Sequence, residues 1–388
     1  MQISNNSLQL KQLPPLSLYI HIPWCIKKCP YCDFNSHKKR SELPENQYIE
    51  CLLTDLELTL PEIWGRRIQT IFIGGGTPSL FSGDSINKLL DGIRSRIALS
   101  PFAEITMEIN PGTVETQYIK DYKLAGVNRI SFGIQSFNDK HLKILGRIHD
   151  SNEAIEAINL AKSIFNNINL DIIYGLPNQT VDEALDDITQ AISLSPQHIS
   201  CYNLTIEPNT YFYNNTPSGL PDNDLCYTMQ DIIINKLQEN NFNRYETSAF
   251  ARNKHFSQHN LNYWFFGDYI GIGAGAHSKI SFPNKVIRQA RQKHPKHYMD
   301  AVIQNTHIVE NKTIDTKSLP FEFAMNAFRL INGVPITLFT ERTGLALNAI
   351  LSQLQLAQDK QFITIENGML KPTINGQNFL NDLLMLFL

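Results

Sequence analysis

No uninterrupted apolar run among the 388 residues approaches the roughly 18 that a membrane-spanning helix requires, and the polar start Met1 to Leu10 lacks the basic-then-apolar order of a secretory signal. The chain therefore reads as cytoplasmic. A surplus of charge is also missing: 34 Lys and Arg stand against 37 Asp and Glu, a net charge of −3. Nothing in that balance attracts a polyanion, so nucleic acid is not an expected partner. With 42% apolar and 18% charged residues, the composition is that of a globular protein rather than a disordered one. Cysteine is sparse, six in all, and a chain of this length in a reducing compartment has no need of disulfides. Cys51, Cys201 and Cys226 stand singly in apolar or helical surroundings and read as buried small hydrophobes.

What the chain does have is alternation. Short apolar, β-branched runs recur at Ser17–Ile22, Thr70–Gly74, Ile105–Asn110, Arg129–Ile134, Ile168–Tyr174 and His198–Leu204. Between them, Gln47–Leu60, Asp84–Ile97, Val114–Leu124, Asn152–Phe165 and Val181–Leu194 carry apolar residues at helical spacing. Such alternation predicts an α/β fold with a parallel sheet, and six units are too few for a closed eight-stranded barrel, so a partial (βα)6 barrel is expected. The middle of the chain, about Pro208 to Asn305, is less periodic, apart from a helix at Asp222–Asn240 and a Gly-rich segment from Gly271 to His277. From Leu319 onward two helices (Phe321–Ile331, Ala346–Gln358), a hairpin turning at Asn367-Gly368 and a final helix from about Asn378 predict a small winged-helix-like α+β domain. It holds four Lys or Arg against five Asp or Glu, so packing or covering is a better reading than DNA binding.

The unusual residues follow the predicted strands, on the face where such barrels place their chemistry. Cys25, Cys29 and Cys32 come directly after the first strand, spaced to bring three thiolates around one centre. Zinc sites use paired C-x2-C units and a fourth protein ligand; a [4Fe-4S] cluster on three thiolates leaves one iron open. A zinc knuckle stays the alternative at this point. Gly74-Gly75-Gly76-Thr77-Pro78 after the second strand lets backbone amides approach a charged ligand, or simply makes a turn. Glu108 and Asn110 end the third strand, and Gln135, Arg147 and Asp171 add polar groups near the same rim; each also reads as a cap or a solvated residue.

The segment Tyr19-Ile20-His21-Ile22-Pro23-Trp24-Cys25 through Cys32, followed by Gly-Gly-Gly-Thr-Pro, resembles the radical S-adenosylmethionine (SAM) enzymes, in the branch containing oxygen-independent coproporphyrinogen III oxidase. The resemblance covers nearly the whole chain. It implies that Cys25, Cys29 and Cys32 bind the cluster and that the open iron chelates SAM. Positions matching Tyr19, Gly75 and Glu108 would contact that SAM, and those matching Tyr31, Gly76, Thr77, Gln135, Arg147 and Asp171 would line a second SAM site. The expected organisation is a barrel over 1–240, a less regular segment with a heme-binding motif over 241–315, and the winged-helix-like domain over 316–388.

Two departures separate the chain from the oxidase. Where the oxidase motif has a further cysteine, two residues past the third ligand, stands Phe34, and only 18 residues precede Tyr19. Instead, Asp33-Phe34-Asn35-Ser36 and His259-Asn260-Leu261-Asn262-Tyr263-Trp264 make the chain similar to the HemW-type heme chaperones. That resemblance implies heme as ligand, His259 as its iron ligand, and respiratory proteins or cytochromes as recipients. His255, His277 and Tyr263 are rival ligands. The basic stretch Lys285–Lys296, with Arg288, Arg291 and Lys293, reads either as a partner for heme propionates or an anionic membrane surface, or as a solvated helix face. Porphyrin synthesis by coproporphyrinogen oxidation is the alternative function, and a homodimer stays open.

Overall fold

The computed structural model describes residues 8–112 and 118–388. Six parallel strands follow one another in chain order: β1 (Leu16–Ile22), β2 (Ile68–Gly75), β3 (Leu99–Ile109), β4 (Arg129–Gln135), β5 (Ile168–Tyr174) and β6 (His198–Asn203). Helices Glu45–Thr59, Gly83–Arg96, Ile119–Ala125, Ser151–Lys162 and Val181–Ser193 connect them. Residues 114–117 of the expected third helix lie outside the described residues. Parallel strands covered on both faces need apolar side chains almost throughout, which is why β1 and β5 are buried at six of seven positions. Helix starts are set locally: Asp150 with Glu153 and Thr180 with Glu183 form capping boxes that satisfy the first backbone N–H groups.

Alternate positions on one face of these strands are polar and bond to one another across the sheet. Thr70 donates to Ser17 at 2.8 Å, Asn169 to Ser131 at 2.8 Å and Ser200 to Asn169 at 3.1 Å. β1 and β6 do not pair, so the barrel is open; each instead carries further strands. On the β6 side these are β7 (Asn243–Arg244) and β8 (Ala249–Ala251), and on the β1 side β9 (Asp268–Ile272), β10 (His277–Phe282), β11 (Lys285–Arg291) and β12 (Ile308–Thr313), giving twelve strands in one sheet. Residues 241–315, read as less regular, hold strands that extend the barrel sheet. Their pattern was hidden because charged residues are buried in them: Lys279 bonds Asp268 at 2.9 Å, and Arg291 bonds Asp55. Lys285–Lys296 is accordingly not the solvated helix face that was one of its two readings. Most of it is strand β11, with Arg291 fully buried and Arg288 paired with Glu322.

The C-terminal unit begins with three helices, Leu319–Ala327, Thr337–Thr343 and Leu351–Asp359, and has three strands, β13 (Val334–Pro335), β14 (Ile363–Glu366) and β15 (Met369–Pro372). The middle helix and β13 were not expected, and the final helix breaks at Phe379 into Ile374–Asn378 and Leu380–Met385. Its apolar core continues into Leu8, Leu10, Phe266 and Val286, so the amino-terminal segment and the barrel edge clamp it in place. No helix among the described residues is long and apolar enough to cross a membrane.

Candidate functional site

At the carboxyl ends of the six strands lies a cleft of about 440 Å³ lined by Cys25, Cys29, Cys32, Tyr31, Gly75, Gly76, Thr77, Glu108, Gln135, Arg147 and Asp171. Of the thirteen residues that the resemblance assigns to cluster, SAM and heme, only Tyr19 and His259 are not on its wall. The cysteine loop leaves β1 and folds back on itself: Trp24-Cys25 pairs with His37-Lys38, His37 N–H donates to Pro23 O at 2.7 Å, and Cys32 N–H to Cys29 O at 3.2 Å. Tyr19 supports it from below. Its hydroxyl meets His21 Nδ1 at 3.0 Å, and His21 Nε2–H donates to the Asn35 carbonyl at 2.9 Å, a chain that fixes the imidazole tautomer.

The glycines are needed by the chain itself as much as by a ligand. A Cβ on Gly75, at φ +116°, would sit 2.6 Å from the His21 ring, and one on Gly76 would sit 2.6 Å from the Trp24 carbonyl. They let the second strand's loop lie against the cysteine loop, and Gly75 N–H then donates to Glu108 Oε2 at 3.1 Å. The Gly271–His277 segment serves the same loop. Asn35 Nδ2 donates to Ala274 O at 2.9 Å and to Lys293 O at 2.8 Å, fastening the residues after Cys32 to the β9–β10 turn.

The far wall is polar and buried. Burial, reinforced by the Asp171 carboxylate, pushes the Glu108 carboxyl up to about 8, although the Gly75 N–H opposes this. Burial also raises Asp171, against hydrogen bonds from Asn169 at 2.8 Å and Ser131 at 3.2 Å. Arg147 donates to Asn110 Oδ1 and Gly133 O, both at 2.7 Å, and reaches Cys29 Sγ at 3.6 Å. Its Nε is buried with no hydrogen-bond partner among the described residues, so the guanidinium has unspent capacity for an anion. Gln135 sits at φ +72°, at an irregularity in the β4–β5 pairing that turns its side chain to the rim. Sequence reasoning missed Ser36, Tyr202, Asn203 and Glu207 as wall residues. The rule that placed chemistry after the strands reaches three of them once extended to β6.

The donor set fits a multi-iron cluster. Cys25, Cys29 and Cys32 face one cleft, and three thiols suit a cubane in which each thiolate takes a different iron and one iron stays open.

His259 lies away from this cleft and is engaged inside the fold. It lies in helix Gln258–Trp264, 1% exposed, with Nδ1 on Thr70 Oγ1 at 2.8 Å and Nε2 on the Tyr263 hydroxyl at 3.0 Å. Burial and the nearby Arg129 lower its pKa to about 3. Both ring nitrogens are spent inside the fold, and Phe72 packs on the ring. A His259→Ala variant is therefore expected to lose about 2–4 kcal/mol of stability in chemical denaturation, from the cavity and the Tyr263 hydroxyl it strands, without losing the iron that the folded fraction binds.

Residues 19–191 match the radical SAM superfamily and residues 314–379 the HemN C-terminal domain. The chain is 48% identical to the heme chaperone HemW of Escherichia coli (strain K12), over 97% of this chain and 99% of that one. It is 35% identical to the heme chaperone HemW of Bacillus subtilis (strain 168), over 86% and 88%. Among solved structures, it resembles the coproporphyrinogen III oxidase HemN of Escherichia coli, a radical SAM enzyme, with a TM-score of 0.82 and 22% identity over 97% of this chain and 90% of that one.

Proposed function

The chain belongs to the radical SAM superfamily and, within it, to the family of the heme chaperone HemW, and from that premise we propose that it binds heme together with a [4Fe-4S] cluster and SAM and hands the heme to respiratory proteins or cytochromes. The observation that carries the proposal is the 48% identity to a heme chaperone along essentially the entire chain. Phe34 agrees with it: the side chain is 55% exposed at the cleft, where the oxidase motif would place a thiol.

In this reading Cys25, Cys29 and Cys32 hold the cluster, which supplies an open iron and one-electron chemistry when bound. The protein's own groups do the rest. Glu108, aligned by the Gly75 N–H, is placed to receive the amino group of SAM. Arg147, with its unpaired Nε, offers charge to a carboxylate. Tyr19 and His21 keep the loop rigid beneath them.

The test is an anaerobic hemin titration of the reconstituted protein, followed by mixing with a heme-free acceptor. Saturation near one heme per chain and movement of the Soret band to the acceptor's position are expected. Absence of saturable binding, with turnover of coproporphyrinogen III by the same preparation, would replace the chaperone by the oxidase.

A further inference from the structure

Two histidine-bearing basic segments, 257 residues apart in the chain, meet on the outside of the cysteine loop. The first is His37-Lys38-Lys39-Arg40 and the second Lys293-His294-Pro295-Lys296-His297. Asn35 joins them through its bond to the Lys293 carbonyl. The His37 and His294 rings lie 5.3 Å apart centre to centre, and His294 and His297 4.6 Å. Lys293, His294, Lys296 and His297 are exposed, and neither His294 nor His297 makes a side-chain hydrogen bond among the described residues. Nearby on the same loop, Phe34 is 55% and Ile26 40% exposed, and Lys28 Nζ donates to the Phe34 carbonyl at 3.2 Å. Within 26–40 and 293–297 stand six Lys and one Arg against a single carboxylate, Asp33, and Lys28, Lys38, Lys293 and Lys296 have no ion pair among the described residues.

We propose that this surface is the heme-docking site, with an imidazole of the His294–His297 pair as axial ligand, Phe34 and Ile26 against the macrocycle, and Lys293 and Lys296 on the propionates. The inference rests on the chaperone reading and gives that reading its ligand site. Heme iron brings four nitrogens of its own and needs only one or two from protein. That distinguishes it from a bare divalent ion, for which no three donors converge here. An aromatic and an aliphatic side chain left in water, on the loop that Asn35 fastens to the free imidazoles and unpaired ammonium groups, match the three chemistries of heme: flat apolar face, metal and carboxylates. An open surface also suits a ligand that must be released to another protein, since nothing need unfold to let it go.

The experiment compares hemin titrations of the full-length reconstituted protein, wild type and His294→Ala/His297→Ala, with iron-free protoporphyrin as a second probe. Expected are a loss of about ten-fold or more in hemin affinity and a shifted Soret band in the double variant, with weaker binding of the iron-free porphyrin to wild type. Iron content and melting temperature should not change, because both rings are exposed. Saturable hemin binding by wild type with the same affinity and Soret band in the double variant would overturn this site and leave the chaperone reading standing. Failure of wild type to bind hemin at all would overturn both.

Discussion

Cys29→Ala, reconstituted anaerobically with iron and sulfide, is expected to retain almost no iron and to lack the broad visible absorbance of an iron–sulfur cluster. Three thiolates, each on its own iron, leave two when one is removed, and two do not hold a cubane against exchange with solvent thiols. The loss has a second component. Arg147 Nη1 points at Cys29 Sγ from 3.6 Å, so the variant removes an acceptor from a guanidinium whose Nε is already unpartnered. The fold should survive, since Cys29 is only partly buried and the loop is held by Asn35 and by the pairing of Trp24-Cys25 with His37-Lys38. Cys51→Ala is the control. Cys51 is buried in helix Glu45–Thr59, with its sulfur directed at the Met299 carbonyl at 3.9 Å, and its loss should leave iron content as in wild type. Unchanged iron in Cys29→Ala, measured against that control, would refute the ligand assignment.

How far such residues could be found without coordinates depended on what buries them. The six barrel strands were legible because burial on both faces leaves long apolar runs, and the expected bounds of Ile168–Tyr174 coincide with β5. The cleft residues were legible because the fold puts strand ends on one rim. Strands β9 to β11 were not, since Asp268, Lys279 and Arg291 lie in their cores and make a buried strand look like surface, and β12 is an exposed edge strand with no buried face to pattern it. His259 is the opposite case. A histidine among Asn, Tyr and Trp has the composition of a ligand site, yet Thr70 and Tyr263 consume both nitrogens inside the barrel. The pairing of His37 with His294 required a tertiary contact that no local pattern encodes.

The largest expected loss of stability belongs to Asp55, which sits in helix Glu45–Thr59 with no exposure. Tyr298 donates to it at 2.8 Å, His307 at 3.0 Å, Gly273 N–H at 3.2 Å and Arg291 at 3.3 Å, so one carboxylate ties the first barrel helix to the added strands. Asp55→Ala strands a fully buried guanidinium and should cost about 3–5 kcal/mol, read by urea denaturation. Burial pushes the Asp55 carboxyl up, but Arg291, His307 and Tyr298 outweigh it and hold the group below its usual range. A lowered folded-state pKa means that the contribution is fully present above the ordinary value of about 3.9 and fades as pH falls through the folded one. The stability gap between wild type and Asp55→Asn should therefore be level from neutral pH down to about 5 and narrow below about 4. A gap that persists undiminished through strong acid would show that the ion pair is not its source. The effect should also reach the cluster. Asp55 holds the Gly273 N–H, the same turn presents the Ala274 carbonyl to Asn35, and Asn35 closes the loop that carries the three thiols. Slower or poorer iron uptake by Asp55→Asn, with every cysteine intact, is the expected sign that a core ion pair sets the geometry of the site.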